Sequence, residues 1–156
     1  MSLRFGEPNN RKPPFKFSAL TRVGFSDTDA QGIVYYGRYL PYFDLARVEY
    51  HRHLELLARD PEGLEFVMRA SSVDYLAPAR FDDVVEVFIR LARIGRTSVL
   101  YEFAAYGDDD VLLVGARQTL VQIDVGARRP EPIPDPYRER IRAFEGADCE
   151  IAVTAG

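Results

Sequence analysis

Cysteine is nearly absent. Cys149 stands alone among 156 residues, so no internal disulfide forms, and a reducing compartment fits. Histidine is almost as scarce. His51 and His53 are the only two, and a spacing of two on a helix points them in different directions, toward solvent or an interface. With no other histidine, Ser-His-Asp and Cys-His schemes have little to draw on. The chain has no phosphate loop and no dinucleotide fingerprint. Gly24-Phe25-Ser26-Asp27-Thr28 lacks the second glycine of a nucleophile elbow. No apolar run approaches a membrane span, and residues 1–17, rich in Asn, Pro, Lys and Arg, do not read as a signal peptide. The expectation is a cytoplasmic protein without membrane insertion. A basic excess is missing too: the net charge of −4 argues against a nucleic-acid partner, while leaving room for a local basic site for an anionic ligand.

What is present is an ordinary globular composition, 47% hydrophobic and 28% charged, at a length that suits one domain with one core. No repeat or linker divides the chain. The expected domain runs over residues 15–146, with 1–14 and 147–156 as loose tails. Apolar alternation predicts a first strand over 15–25. Leu40, Phe43, Ala46, Tyr50, Leu54 and Leu57 then recur at three- and four-residue spacing, with charged residues between them. That stripe predicts an amphipathic helix of about six turns, roughly 30 Å long. Pro41 suits its first turn, and Asp60-Pro61-Glu62-Gly63 would end it. Further strands are predicted over 65–75, 83–93, 97–106 and 111–125, with turns at Gly95-Arg96 and Gly107-Asp108-Asp109-Asp110. A proline-rich stretch, 130–136, leads to a short helix over 137–144. Short turns between successive strands imply antiparallel pairing, and one apolar helical stripe must bury itself against the sheet. The fold class is α+β, an antiparallel sheet curled around one long helix, which is the layout of the hotdog fold. Its exposed edge strand suggests edge-to-edge dimerisation.

The chemistry concentrates in the loop before the helix, Asp27-Thr28-Asp29-Ala30-Gln31-Gly32-Ile33-Val34-Tyr35-Tyr36-Gly37-Arg38-Tyr39. It sets the carboxylate of Asp29 just ahead of the N–H groups a helix leaves unpaired, an arrangement suited to attack on a carbonyl. Asp29 would serve either by direct attack, giving a mixed anhydride, or as a general base toward water. The plain alternative is a turn aspartate that satisfies loop N–H groups. Asp27 reads as a structural turn former, and two carboxylates are too few for a calcium loop.

This loop, followed by Tyr42-Phe43-Asp44-Leu45-Ala46-Arg47, resembles the signature of the 4-hydroxybenzoyl-CoA thioesterase family, hotdog acyl-CoA thioesterases that include a Tol–Pal-associated branch. The segments Tyr75-Leu76-Ala77-Pro78-Ala79-Arg80-Phe81-Asp82-Asp83, Gly95-Arg96-Thr97-Ser98 and Ile123-Asp124 extend the resemblance. It implies an acyl-CoA thioester hydrolase for aromatic (hydroxybenzoyl-like) or short-chain acyl groups, acting as a homodimer or homotetramer. No cofactor is implied beyond the coenzyme A of the substrate, and no metal. Asp29 matches the catalytic carboxylate and the backbone N–H of Tyr36 the group that polarises the carbonyl. Gly32 and Val34 fall at substrate-binding positions of the motif. Arg93, Arg96, Thr97 and Ser98 match the groups that meet the nucleotide of coenzyme A, often from the partner subunit. Asp44 matches a carboxylate facing a ring hydroxyl of the acyl group. Many Tol–Pal-associated relatives have a histidine where this chain has Tyr36, which leans the resemblance toward the hydroxybenzoyl branch. The plain readings are surface pairing of Asp44 with Arg47 or Arg38, and strand-end solvation for Arg93 and Arg96. Two other functions compete: a hotdog dehydratase or hydratase, and a non-catalytic module that binds acyl-CoA or acyl-carrier protein.

Overall fold

The structure is a computed structural model and describes residues 5–57 and 64–152. Eight strands form one sheet around a helix. β1 (Gly6–Pro8) and β2 (Phe17–Arg22) precede α1 (Tyr39–His53). β3 (Leu64–Tyr75), β4 (Val84–Ile94), β5 (Ser98–Tyr106) and β6 (Leu112–Asp124) follow, then β7 (Arg129–Pro130), α2 (Asp135–Glu145) and β8 (Glu150–Ile151). The order across the sheet is β1-β2-β4-β5-β6-β3, with β7 on β6 and β8 parallel to β4. The main strands pair antiparallel, as expected. β3, however, pairs with β6 rather than with the strand that follows it, so it lies at the sheet's edge. Register shifts at Met68/Ala70 in β3 and Leu91/Arg93 in β4 mark bulges, which add local bend and twist.

α1 is shorter than its apolar stripe suggests. It has 15 residues, about four turns and roughly 22 Å, because Glu55 takes a positive φ of 57° just beyond the C-cap Leu54. The stop signal at 60–63 lies outside the described residues. The buried face is also rotated. Tyr39, Tyr42, Phe43, Ala46 and Tyr50 are buried, while Leu40 is 41% and Leu57 42% exposed. The real seam begins one residue before the first leucine of the pattern and is mostly aromatic. Phe43 lies against Phe103 at 4.7 Å between ring centroids, and Phe17 meets the edge of Tyr50 at 5.8 Å. Val87, Ile89 and Leu91 of β4 complete this core.

The stretches read as loose tails carry structure within the described residues. β1 pairs with β2, and Gly6 is where it crosses the helix: a Cβ there would lie 2.7 Å from the Phe17 ring and 3.0 Å from Cβ of Glu49. Arg11 pairs with Glu86, and Lys12 with Asp110. At the other end Cys149 is buried and β8 pairs with β4. Composition could not reveal these contacts because they join residues up to 98 positions apart.

α2 is anchored by its buried groups. Glu145 accepts hydrogen bonds from Tyr50 Oη (2.7 Å) and from the N–H of Leu91 (3.0 Å). Burial still holds its carboxyl above the ordinary range, against the opposing pull of those donors. Arg138 donates to the carbonyls of Ile133, Gly95 and Arg96, clamping α2 to the β4–β5 turn.

Candidate active site

The loop between β2 and α1 is a compact turn held by its own backbone. Asp29 N–H donates to Ile33 O and Gly32 N–H to Asp29 O, with Gly32 at a φ of 77° that suits glycine. Bridges Thr28↔Val34 and Ile33↔Arg80 fasten the loop to itself and to the segment before β4. Asp27 is structural: its Oδ2 accepts from Gly24 N–H (2.8 Å) and from Tyr42 Oη (2.9 Å). Burial, followed by that bond to Asp27, pushes the Tyr42 hydroxyl's pKa up. The Asp29 carboxylate accepts one bond, from Gln31 N–H at 2.8 Å, and one of its oxygens takes no hydrogen bond from the described residues. The turn-aspartate reading and the catalytic reading therefore describe different oxygens of the same side chain.

Tyr36 begins a 3-10 turn, Tyr36–Arg38, that runs into α1. Its N–H meets no backbone acceptor among the described residues, as the first position of a helical turn requires. Asp29, Val34, Tyr36, Tyr39, Tyr75 and the segment Leu76-Ala77-Pro78 line one cavity of about 370 Å³. Tyr75 Oη donates to the carbonyl of Tyr36 (3.0 Å), so β3 braces the start of the helix. The Tyr39 hydroxyl is buried and meets no hydrogen-bond partner of good geometry among the described residues, and burial raises its pKa to about 12 against the pull of the nearby Ala79 backbone, so it is a neutral donor near pH 7. Tyr36 and Tyr39 are the members of the loop's aromatic run that line the cavity, whereas Tyr75, at the end of β3, had no local signal as a wall.

The other sequence candidates lie elsewhere. Asp44 pairs with Arg47 on the helix surface, which is the plain reading, and does not line the cavity. Arg47 in turn donates to the buried Gln118 of β6 (2.8 Å). Arg93, Arg96, Thr97 and Ser98 sit at the β4–β5 turn. The Asp29 loop meets the opposite end of β4 through Arg80, roughly 30 Å away along the strand at ~3.3 Å per residue. Arg93 lies 3.6 Å from Glu150. One subunit therefore does not bring these residues to Asp29.

His51, expected at solvent or an interface, is hydrogen-bonded within the subunit. Its Nε2 lies 2.6 Å from Tyr101 Oη and 3.2 Å from Tyr137 Oη, and the two hydroxyls are 3.1 Å apart. Burial, then the nearby Arg47 charge, lowers its pKa to about 4, so the ring is neutral at pH 7. It lines a different cavity, at the far end of α1 from Tyr36. His53 is exposed, with its ring 5.5 Å from Phe17 and Phe144.

A family model described as the Thioesterase-like superfamily matches residues 23–141, the span from the end of β2 into α2. The chain belongs to the thioesterase-like superfamily. Among curated relatives of this superfamily, the acyl-CoA thioester hydrolase YbgC of Escherichia coli O6:H1 is 33% identical over 72% of this chain and 86% of its own. The acyl-CoA thioesterase YbgC of Haemophilus influenzae is 31% identical over 76% and 88%. A thioesterase from Thermus thermophilus, solved in complex with coenzyme A and zinc, is 34% identical, with a TM-score of 0.69 over 81% of this chain and 93% of that one. A thioesterase-superfamily structure from Jannaschia reaches a TM-score of 0.79 over 86% of each chain at 22% identity, a likeness of fold. These neighbours share the hotdog layout, with the sheet wrapped on one helix. Among the described residues of this superfamily member, no helix is long and apolar enough to cross a membrane, and no three His, Cys, Asp or Glu side chains cluster as metal ligands would.

Proposed function

We propose that this protein, an acyl-CoA thioester hydrolase, hydrolyses the thioester of an aromatic (hydroxybenzoyl-like) or short-chain acyl-CoA, with Asp29 as its catalytic carboxylate. The observation that carries the reading is the cavity that Asp29 and Tyr36 both line: among the described residues, one carboxylate oxygen of Asp29 takes no hydrogen bond and the Tyr36 N–H meets no backbone acceptor. The thioester carbonyl oxygen takes the Tyr36 N–H, and the positive end of α1 stabilises the charge that develops there. Asp29 either attacks the carbonyl carbon, expelling the thiolate of coenzyme A and leaving an anhydride for water to open, or draws a proton from the attacking water. Gly32 allows the turn that presents Asp29, and Val34, Tyr39 and Tyr75 form the wall against which the acyl group packs. No cofactor enters this scheme.

The curated YbgC relatives act on acyl-CoA by name, and that supports the thiol assigned here. The partner subunit of a homodimer, alone or doubled into a homotetramer, would supply Arg93, Arg96, Thr97 and Ser98 to the nucleotide, because one subunit holds them at the wrong end of β4. Edge strand β3 and the exposed Phe25, Leu76 and Phe81 offer surface for such pairing. The Asp44 carboxylate, tied to Arg47 in the isolated subunit, would reach an acyl ring only across that interface. The proposal also sets the enzyme in the cytoplasm. A hydratase is disfavoured because His51 is engaged with two tyrosines and lines the other cavity.

The test is thiol release from a panel of aromatic, short-chain and long-chain acyl-CoAs. Asp29→Asn is expected to lower hydrolysis at least a hundredfold with unfolding and oligomeric state unchanged. Equal turnover by the variant sinks the assignment, and tight acyl-CoA binding without thiol release by the native protein favours the binding module.

A further inference from the structure

The cavity at the C-terminal end of α1 has no part in the chemistry above. It measures about 430 Å³, within the range of small-molecule sites. Leu56 after α1, Phe66 of β3, Gln122 of β6 and Pro134, Pro136 and Tyr137 around the start of α2 form its wall. Phe66 and Gln122 are register partners, so they share the helix-facing side of the sheet. The rings of Phe66 and Tyr137 are 5.5 Å apart. His51 sits twelve residues beyond Tyr39 on α1, about 18 Å along its axis, so this cavity and that of Asp29 lie at opposite ends of the helix.

Gln122 makes this more than a packing gap. The residue is 3% exposed and lines the cavity, and its amide nitrogen has no hydrogen-bond partner among the described residues. An unmet buried amide destabilises the fold, and a ligand acceptor would relieve that. The neighbouring polar groups do not fill that need. The Tyr101, Tyr137 and His51 triangle spends its protons internally, and burial raises the Tyr137 hydroxyl to about 12 and leaves His51 uncharged. At the rim, Arg140 pairs with Glu55 at 3.0 Å, and Glu65 adds a further negative charge. The rim therefore carries a net charge of about −1, hostile to an anionic molecule such as coenzyme A.

We propose that this cavity is a second ligand site, which takes a neutral, largely aromatic molecule whose single acceptor, a carbonyl or ether oxygen, receives a hydrogen bond from Gln122. The rings of Phe66 and Tyr137 cover its faces, and the prolines close the end.

Two fluorinated probes of nearly the same shape test it on the full-length chain: para-fluoroacetophenone, which has a carbonyl acceptor, and para-fluoroethylbenzene, which has none. Fluorine NMR titration is expected to show saturable binding of both, the ketone more tightly. Gln122→Leu is expected to weaken the ketone about tenfold and leave the hydrocarbon unchanged. It should also raise the unfolding midpoint of the unliganded protein, since it removes an unpaired buried amide. Leu56→Trp, at the cavity edge, should abolish binding of both while the fold persists, and it keeps the test decisive if the Gln122 variant does not fold. Asp29→Asn should bind both probes as the native chain does. Lack of saturable binding overturns the proposal. So does a loss equal for both probes in Gln122→Leu, or probes that respond to Tyr75→Trp in the Asp29 cavity and not to Leu56→Trp. Because the readout is binding and not hydrolysis, failure here leaves the thioesterase reading intact.

Discussion

Removing the charge switch at His51 should flatten the acid side of the protein's stability curve. The folded ring titrates at about 4, against about 6.5 in the unfolded chain, chiefly because it is buried beside Tyr101 and Tyr137. A depressed folded pKa means the unfolded state binds the proton first. The stabilisation is therefore complete above pH 6.5 and is lost as pH falls toward 4. A difference of about 2.5 units at 1.36 kcal/mol per unit gives about 3 kcal/mol, an upper figure because one edge of the ring meets the cavity. Glu145 works in the opposite direction. Its raised pKa means the buried carboxyl destabilises the fold as pH rises above its ordinary value, so acidification relieves that cost. The comparison must therefore be between variants. Urea unfolding of the native chain and of His51→Gln at pH 7 and pH 4.5 isolates the histidine, since Glu145 is common to both. The native chain should lose about 2–3 kcal/mol more than His51→Gln across that interval. An NMR titration should place the midpoint of His51 near 4. If the His51 ring titrates near 6.5, or the two proteins lose equal stability, the burial argument is wrong.

Three other outcomes follow from the geometry. Gly32→Ala should cost about 1 kcal/mol, a fall of roughly 2–4 °C in Tm, from backbone strain alone, because no atom lies within 4 Å of the added Cβ; kcat should fall with it as the Asp29 turn shifts. Arg96→Ala should raise KM for acyl-CoA several-fold at constant kcat and leave hydrolysis of an N-acetylcysteamine thioester, which has no nucleotide, unaltered; an equal rise for both thioesters refutes a nucleotide contact. Phe43→Ala, which empties the centre of the helix–sheet seam beside Phe103, should cost about 3–5 kcal/mol by denaturant unfolding, and a loss under 1 kcal/mol would place the core elsewhere.

Much of this architecture was legible in local pattern. Alternation marked the four long strands to within a residue, ran three residues past the end of β2 and missed the short β1, β7 and β8, and the loop from Asp27 to Tyr39 announced its carboxylate and its helix start together. Periodicity was less faithful for α1. The leucines suggested a longer helix, yet Glu55 turns the chain out of the helical region and the aromatic residues take the buried seam. Propensity also said nothing of the crossing that sends β3 to β6 rather than to the next strand, and that pairing gives the sheet its free edge. The two ends misled for the same reason. A short terminal stretch with no periodic pattern of its own reads as loose until one sees which strand it lies beside.

By itself, then, the sequence determined what is settled within a few neighbouring residues: the places of the long strands, the start of the helical segment, and the Asp29 turn that precedes it. Hydrogen bonds and dihedral preferences over such spans depend on nearest neighbours alone. Tertiary structure decided everything that joins distant positions. It set Arg93 and Arg96 at the far end of β4 from Asp29. It brought Tyr137 to His51 across 86 residues and withdrew the imidazole's charge. It also buried Gln122 at the edge of a second cavity, its amide nitrogen without a partner among the described residues. Burial and desolvation belong to the packed chain, and no run of residues carries them alone.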